Sequence, residues 1–105
     1  MNSQKVALTQ IRHLLKRDDL PPLTDWSLAP DALAYILSLI VDNKPANIVE
    51  FGSGASTVYI ALALERVGSG HITTIEHSGR YAIETQNMLE AYEQSWALGI
   101  KANAI

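Results

Sequence analysis

Apolar residues recur at helical spacing in some parts of this chain and form short β-branched runs in others, and this difference separates predicted helices from predicted strands. Over residues 3–17 the apolar positions recur every three or four residues, which predicts an amphipathic helix. The tandem prolines Pro21 and Pro22 cannot continue a helix, so a linker follows. A second helix is predicted from Pro30 to about Val41. Its apolar face consists of Leu33, Ile36, Leu37 and Ile40.

Short runs rich in β-branched residues begin after Pro45 and predict strands. Residues 46–51 and 71–76 have this character, and a further strand is expected to begin within residues 102–105. Helices are predicted between them, over residues 57–66 and 81–96. The inward positions expected in the second of these helices are Tyr81, Ile83, Met88, Leu89 and Tyr92. This order of elements is typical of an α/β fold with an open parallel sheet.

Composition narrows the classes of partner. The 105 residues have a formal net charge of −3, with 48% hydrophobic and 18% charged residues, which indicates a globular domain. The scattered Lys and Arg residues argue against a nucleic-acid partner. No cysteine is present, so disulfides and thiolate metal sites are excluded, and no metal site is expected. The longest apolar stretch, residues 32–41, is too short for a membrane span, and we expect a cytoplasmic protein.

Both complete predicted strands end in a carboxylate that is followed by a turn. Glu50 precedes Gly52 and Gly54, and Glu76 precedes His77. Ligands of parallel sheets bind beyond the carboxyl ends of the strands, and glycines let the backbone approach a ligand closely. A carboxylate at the tip of the second strand can accept hydrogen bonds from both hydroxyls of a ribose. The pattern therefore favours an adenosine-type ligand.

Two classes of adenosine ligand fit this arrangement unequally. A dinucleotide-binding loop has the pattern G-x-G-x-x-G, but Thr57 occupies the third glycine position here. Glu50 lies two residues before the first glycine, where a carboxylate would repel a pyrophosphate and would suit a ligand with an ammonium group. These two residues weigh against NAD.

The segment VEFGSGASTVYIA, residues 49–61, resembles the first motif of the class I S-adenosylmethionine-dependent methyltransferases. The segment ITTIEHS, residues 72–78, is similar to the second motif. The resemblance covers residues 26–105 and implies a partial Rossmann-like, methyltransferase-type parallel sheet with S-adenosylmethionine as cofactor. Ser56 replaces a glycine that is common in the first motif.

The resemblance also implies roles for individual residues. Glu50 would lie near the methionine end of the cofactor, and Glu76 would hold the ribose hydroxyls. His77, with Ser78, would flank the adenine. The loop under the cofactor would consist of Gly52, Ser53 and Gly54. Family members carry the acceptor pocket and any catalytic base on later strands, so the acceptor and the catalytic residues stay unknown, with a small-molecule acceptor favoured.

This resemblance divides the chain into two parts. Residues 1–25 are interpreted as an N-terminal helix with a proline-containing linker, and residues 26–105 as the first half of a cofactor-binding domain, a fragment of the family's fold. Two alternatives stay open: a non-catalytic remnant that self-associates through the open edge of its sheet, and a dehydrogenase-type nucleotide-binding protein. Trp26 is expected either to close over the cofactor or to pack the first helix onto the domain.

Overall fold

A computed structural model describes residues 3–24 and 28–92 and the backbone of residues 101–104. These residues form a small α/β domain. Its helices are α1 (Ser3–Leu15), α2 (Pro30–Asn43), α3 (Ala55–Val67) and α4 (Gly79–Tyr92), and its strands are β1 (Asn47–Phe51), β2 (His71–Ile75) and β3 (Lys101–Ala104). The strand order is β1-β2-β3 with both pairs parallel, which confirms the predicted α/β class. The predictions for Trp26, for residues 93–96 and for Ile105 lie outside the described residues.

Left-handed residues determine where the first two helices end. α1 stops two residues before the predicted end because Lys16 adopts φ +52°, so the tandem prolines are not what terminates it. α2 continues two residues beyond Val41, to Asn43. There Lys44 adopts φ +50° and its N–H donates to the carbonyl of Ile40 at 2.9 Å, which closes the last turn.

α3 begins two residues earlier than predicted because Gly54 caps it. The N–H of Gly54 donates to Oγ1 of Thr57 at 3.2 Å, and the N–H of Thr57 donates back to the carbonyl of Gly54 at 3.1 Å. This reciprocal pair satisfies donors that a helix start otherwise leaves without partners. The turn after β1 therefore passes directly into α3.

The hydrophobic core lies between the helices and one face of the sheet. All residues of α3 from 57 to 64 are buried, as its nearly continuous apolar sequence predicts. α1 adds Ala7, Ile11 and Leu15 at a spacing of four residues, and it packs against α2 within the same core. In the described parts of the chain, no helix combines the length and apolar character needed to cross a bilayer.

The predicted inward face of α4 is wrong at two of its five positions. Tyr81 is 56% exposed and Ile83 is 64% exposed. The buried positions are Thr85 and Leu89, four residues apart, with Met88 partly buried beside them. Ile83 points away because two residues along a helix correspond to a rotation of about 200° from Thr85. A threonine therefore occupies a core position that the apolar pattern assigned to other residues.

The two faces of the sheet are covered unequally. Both crossovers step in the same direction along the sheet, and right-handed connections then place α3 and α4 on the same face. On that face, Ile72 and Thr74 are fully buried. Among the described residues no helix covers the other face, where Val49 is 59% exposed and Phe51 is 82% exposed.

Candidate functional site

The carboxyl ends of β1 and β2 lie side by side because the parallel register pairs Phe51 with Ile75. The two turns that follow these strands therefore meet at one edge of the sheet. We call this region the strand-end site and define it as residues 50–57 and 74–78. It contains every predicted cofactor-binding residue, namely Glu50, Gly52, Ser53, Gly54, Glu76 and His77.

The glycine loop leaves open space at the strand-end site. Gly52 adopts φ +87°, a conformation that favours glycine, and its N–H donates to the carbonyl of Ile75 at 2.8 Å. A Cβ added at Gly52 or Gly54 would meet no atom within 4 Å. Glycine is thus required at residue 52 by the backbone dihedral, and the space beside the loop is unfilled by the described residues.

Glu76 joins the two loops through three hydrogen bonds. Its Oε1 accepts from both the N–H and the hydroxyl of Ser53, each at 2.8 Å, and its Oε2 accepts from the N–H of Ser78 at 3.1 Å. The N–H of Ser53, then the N–H of Ser78 and the Ser53 hydroxyl lower the pKa of Glu76 from 4.5 to about 2. The carboxylate is therefore ionised at neutral pH, and its side chain is only 4% exposed.

His77 is the exposed member of the site. Its side chain is 98% exposed, and its Nδ1 lies 3.4 Å from Oε2 of Glu76. The ring nitrogen is thus beside the oxygen of Glu76 that accepts from Ser78, not the one that accepts from Ser53. Its predicted contact with adenine stays a prediction.

Glu50 is engaged by three hydroxyl groups. Its Oε2 accepts from Ser56 at 2.7 Å, while its Oε1 accepts from Thr74 at 3.0 Å and also from Thr57. Both threonines are fully buried. Glu50 therefore connects β1 to β2 and to the first turn of α3. Its predicted position near the ammonium group of a ligand stays a prediction.

The amides of the glycine loop have hydrogen-bond partners within the protein. The N–H of Gly52 donates to a carbonyl of β2. The N–H of Ser53 donates to the carboxylate of Glu76, and the N–H of Gly54 donates to the hydroxyl of Thr57. A ligand at this loop would therefore meet the Cβ-free backbone surface and not a row of open N–H donors.

Three buried threonines contact the residues of the site, and the sequence reasoning assigned none of them this role. Thr57 and Thr74 bond to Glu50, and the hydroxyl of Thr85 donates to Oγ of Ser53 at 2.9 Å. The strand register pairs Thr74 with Glu50, so its contact could have been anticipated from the alignment of the two strands. Thr85 lies on α4, and no sequence motif marks it.

A separate cleft of about 620 Å³ lies between α1, the linker that follows it and the start of α2. Leu8, Arg12, Pro21 and Tyr59 are among its lining residues. The hydroxyl of Tyr59 donates to the carbonyl of Pro21, and burial raises the pKa of this phenol. No predicted cofactor-binding residue lines the cleft, so it is distinct from the strand-end site.

The described residues contain no group of three or more His, Asp or Glu side chains that could hold a metal ion. Comparison with protein-family models, with curated proteins and with solved structures found no match to this chain. The geometry of the strand-end site is therefore the basis on which a function can be inferred.

Proposed function

We propose that this chain is the cofactor-binding portion of an S-adenosylmethionine-dependent methyltransferase that acts on a small molecule. The observation that carries the proposal is the carboxylate of Glu76. It is held ionised at the tip of β2 and lies against the glycine loop that follows β1. An anionic acceptor beside a Cβ-free loop matches what the adenosyl half of the cofactor requires.

In this proposal the ribose hydroxyls donate to Glu76, and the cofactor lies along the surface of Gly52 and Gly54, where no Cβ intervenes. The exposed ring of His77 lies beside the adenine. The strand order β1-β2-β3, with α3 and α4 on one face, supports interpretation as one half of a Rossmann-like sheet. The acidic net charge favours a small-molecule acceptor over a nucleic acid.

The bound cofactor would supply an electrophilic methyl group on a positively charged sulfonium. The contribution of the residues in this chain would be to hold and orient that donor, and orientation of reacting groups accounts for a large part of the rate in such transfers. We assign no base and no acceptor-binding residue.

The same geometry disfavours NAD. A pyrophosphate is bound by loop amides and by the start of a helix, but the amides of residues 52–54 are already engaged inside the protein. Thr57, at the third glycine position, is fully buried and bonds to Glu50. A pyrophosphate would have to break the hydrogen bonds of these loop amides before it could bind.

Isothermal titration with S-adenosylhomocysteine tests the proposal. We expect binding by the native chain and a loss of affinity of about 10- to 100-fold in Glu76→Gln, because the neutral amide is a weaker acceptor of the ribose hydroxyls. Glu84→Gln, on the exposed side of α4, is the matched control and should bind like the native chain. Absence of binding by a folded chain, or equal affinity of Glu76→Gln, would contradict the proposal.

Self-association through β1 is a second candidate, favoured by the backbone of that strand. The bonds from His71 to Ala46 and from Gly52 to Ile75 show which residues of β1 face β2. Because a parallel ladder alternates, the amides and carbonyls of Asn47, Val49 and Phe51 point to the opposite edge. No described strand lies there. An antiparallel pairing of two β1 strands centred on Val49 would satisfy these groups.

A further inference from the structure

In the arrangement described above, the hydrogen-bond donors on Glu76 prevent its carboxylate from binding both hydroxyls of a diol. A carboxylate accepts about four hydrogen bonds, roughly two on each oxygen. Oε1 already has two donors, the N–H and the hydroxyl of Ser53, whereas Oε2 accepts from the N–H of Ser78 and has Nδ1 of the exposed His77 at 3.4 Å. A vicinal diol binds a carboxylate most directly with one hydroxyl on each oxygen. One of the two donors on Oε1 must therefore leave before a diol can bind in this way.

The hydroxyl of Ser53 is the donor that can leave. The N–H of Ser53 is fixed by the backbone of the glycine loop, but the hydroxyl moves by side-chain rotation alone. A second acceptor is close, since the carbonyl of Tyr81 in the first turns of α4 lies 3.4 Å from Oγ of Ser53. The hydroxyl would thus keep a hydrogen-bond partner after leaving Glu76.

Thr85 limits which groups can accept a hydrogen bond from the Ser53 hydroxyl. The side chain of Thr85 is buried, and its O–H donates to Oγ of Ser53 at 2.9 Å. Because Thr85 donates to Ser53, it is not an acceptor for the Ser53 hydroxyl. The single proton of that hydroxyl therefore has two nearby acceptors. Those acceptors are Oε1 of Glu76 at 2.8 Å and the carbonyl of Tyr81.

We propose that the Ser53 hydroxyl is a two-position switch that sets the specificity of the site for a ligand with a cis-diol. It donates to Glu76 in the free protein and turns to the carbonyl of Tyr81 when a ligand hydroxyl takes its place on Oε1. A ligand with a single hydroxyl uses the open position on Oε2 and leaves Ser53 in place. This inference rests on the proposed adenosyl-binding function and adds a specificity-determining residue to it.

Titration with adenosine and with 2′-deoxyadenosine tests the switch in Ser53→Ala. Removing the competing hydroxyl should tighten adenosine binding about 5- to 10-fold and 2′-deoxyadenosine binding less than about 2-fold. Ser38→Ala is the matched control, because Ser38 donates to the carbonyl of Ala34 within α2, away from the site. Equal changes for the two nucleosides, or weaker adenosine binding, would overturn the proposal.

The outcomes separate this inference from the proposed function. If the native chain binds adenosine and Ser53→Ala changes both nucleosides alike, the switch alone is wrong. If neither chain binds adenosine or S-adenosylhomocysteine, the proposed function fails and the switch fails with it. Binding by Ser53→Ala together with weak binding by the native chain would support the switch.

A second measurement addresses the free protein without any ligand. Carbon-13 NMR titration of the Glu76 carboxyl should give a higher pKa in Ser53→Ala than in the native chain, because one of its three donors is lost. Ser38→Ala should leave that pKa unchanged. An unchanged pKa in Ser53→Ala would contradict the position assigned to the hydroxyl in the free protein.

Discussion

The two glutamates of the strand-end site have different roles because different hydrogen-bond donors surround them. Glu76 accepts from two backbone amides and one hydroxyl at the open end of β2. Glu50 accepts from hydroxyls only, and two of these, on Thr57 and Thr74, are fully buried. We therefore expect Glu50 to matter mainly for the stability of the fold, and Glu76 to matter for ligand binding and for the response to pH.

The lowered pKa of Glu76 predicts a specific dependence of stability on pH. Since its pKa is about 2 in the folded state and 4.5 ordinarily, the ionised group stabilises the fold above about pH 4.5. That contribution is lost as the pH falls from about 4.5 to about 2. The Tm difference between the native chain and Glu76→Gln, measured by circular dichroism, should therefore shrink over this range. A constant difference would contradict the assignment.

Removing Glu50 should destabilise the fold. In Glu50→Ala the buried hydroxyls of Thr57 and Thr74 lose their acceptor, so we expect the free energy of unfolding in urea to fall by about 2–4 kcal/mol. Glu50→Gln retains an acceptor oxygen and should lose less. Glu84→Ala breaks only an exposed ion pair with Arg80, so it should change the free energy of unfolding by less than about 1 kcal/mol. Similar losses in Glu50→Ala and Glu84→Ala would refute this role.

At the scale of elements, the entry into β2 depends on one glycine. Gly70 adopts φ +106°, and a Cβ there would lie 2.7 Å from Cδ2 of Leu64 and 2.8 Å from the carbonyl oxygen of Pro45. Leu64 is fully buried in α3, so it cannot easily move aside, and the carbonyl belongs to the backbone before β1. α3 and the segments that lead into β1 and β2 therefore meet at this position without space for a side chain.

Gly70→Ala should therefore lower the free energy of unfolding by about 2 kcal/mol or more, through both the dihedral and the two close contacts. The measurement is urea denaturation followed by circular dichroism. Gly79→Ala is the control, because a Cβ at that residue would meet no atom within 4 Å. We expect it to change stability by less than about 1 kcal/mol. Equal effects of the two substitutions would contradict the steric argument.

The types of the elements could be predicted from the sequence, but their ends and several contacts could not. The apolar residues at helical spacing identified the helices, because burial of one face imposes that spacing, and the short β-branched runs identified the strands. The helix ends shifted by two residues where Lys16 and Gly54 adopt conformations that no apolar pattern encodes. The motif residues of the site were found, whereas Thr85 was not, since its contact with Ser53 depends on how α4 packs.

At the scale of the whole molecule, we expect association through the face and edge of β1 that none of the described elements covers. Val49 and Phe51 expose both their side chains and, along the outer edge of β1, their backbone groups. Natural sheets protect such edges with charged residues, and Lys is a common choice. Phe51→Lys should therefore shift the chain toward the monomer in size-exclusion chromatography with light scattering, compared over a range of concentrations.

The control for that measurement is Tyr35→Lys. Tyr35 is a large, exposed aromatic residue on α2, so its replacement makes the same kind of change away from β1. It should leave the oligomeric state of the native chain unaltered. A native chain that is monomeric at every concentration, or an equal effect of both substitutions, would remove support for the second candidate function.

The order of the strands in space is also their order along the chain, and this has a consequence for how the protein folds during synthesis. β2 pairs with β1, and β3 pairs with β2, so each new strand joins the outer side of the one made before it. None of these three strands has to insert between two that are already paired. The nascent chain can therefore build the sheet stepwise as it leaves the ribosome. Each pairing of strands then requires the closure of only one crossover loop.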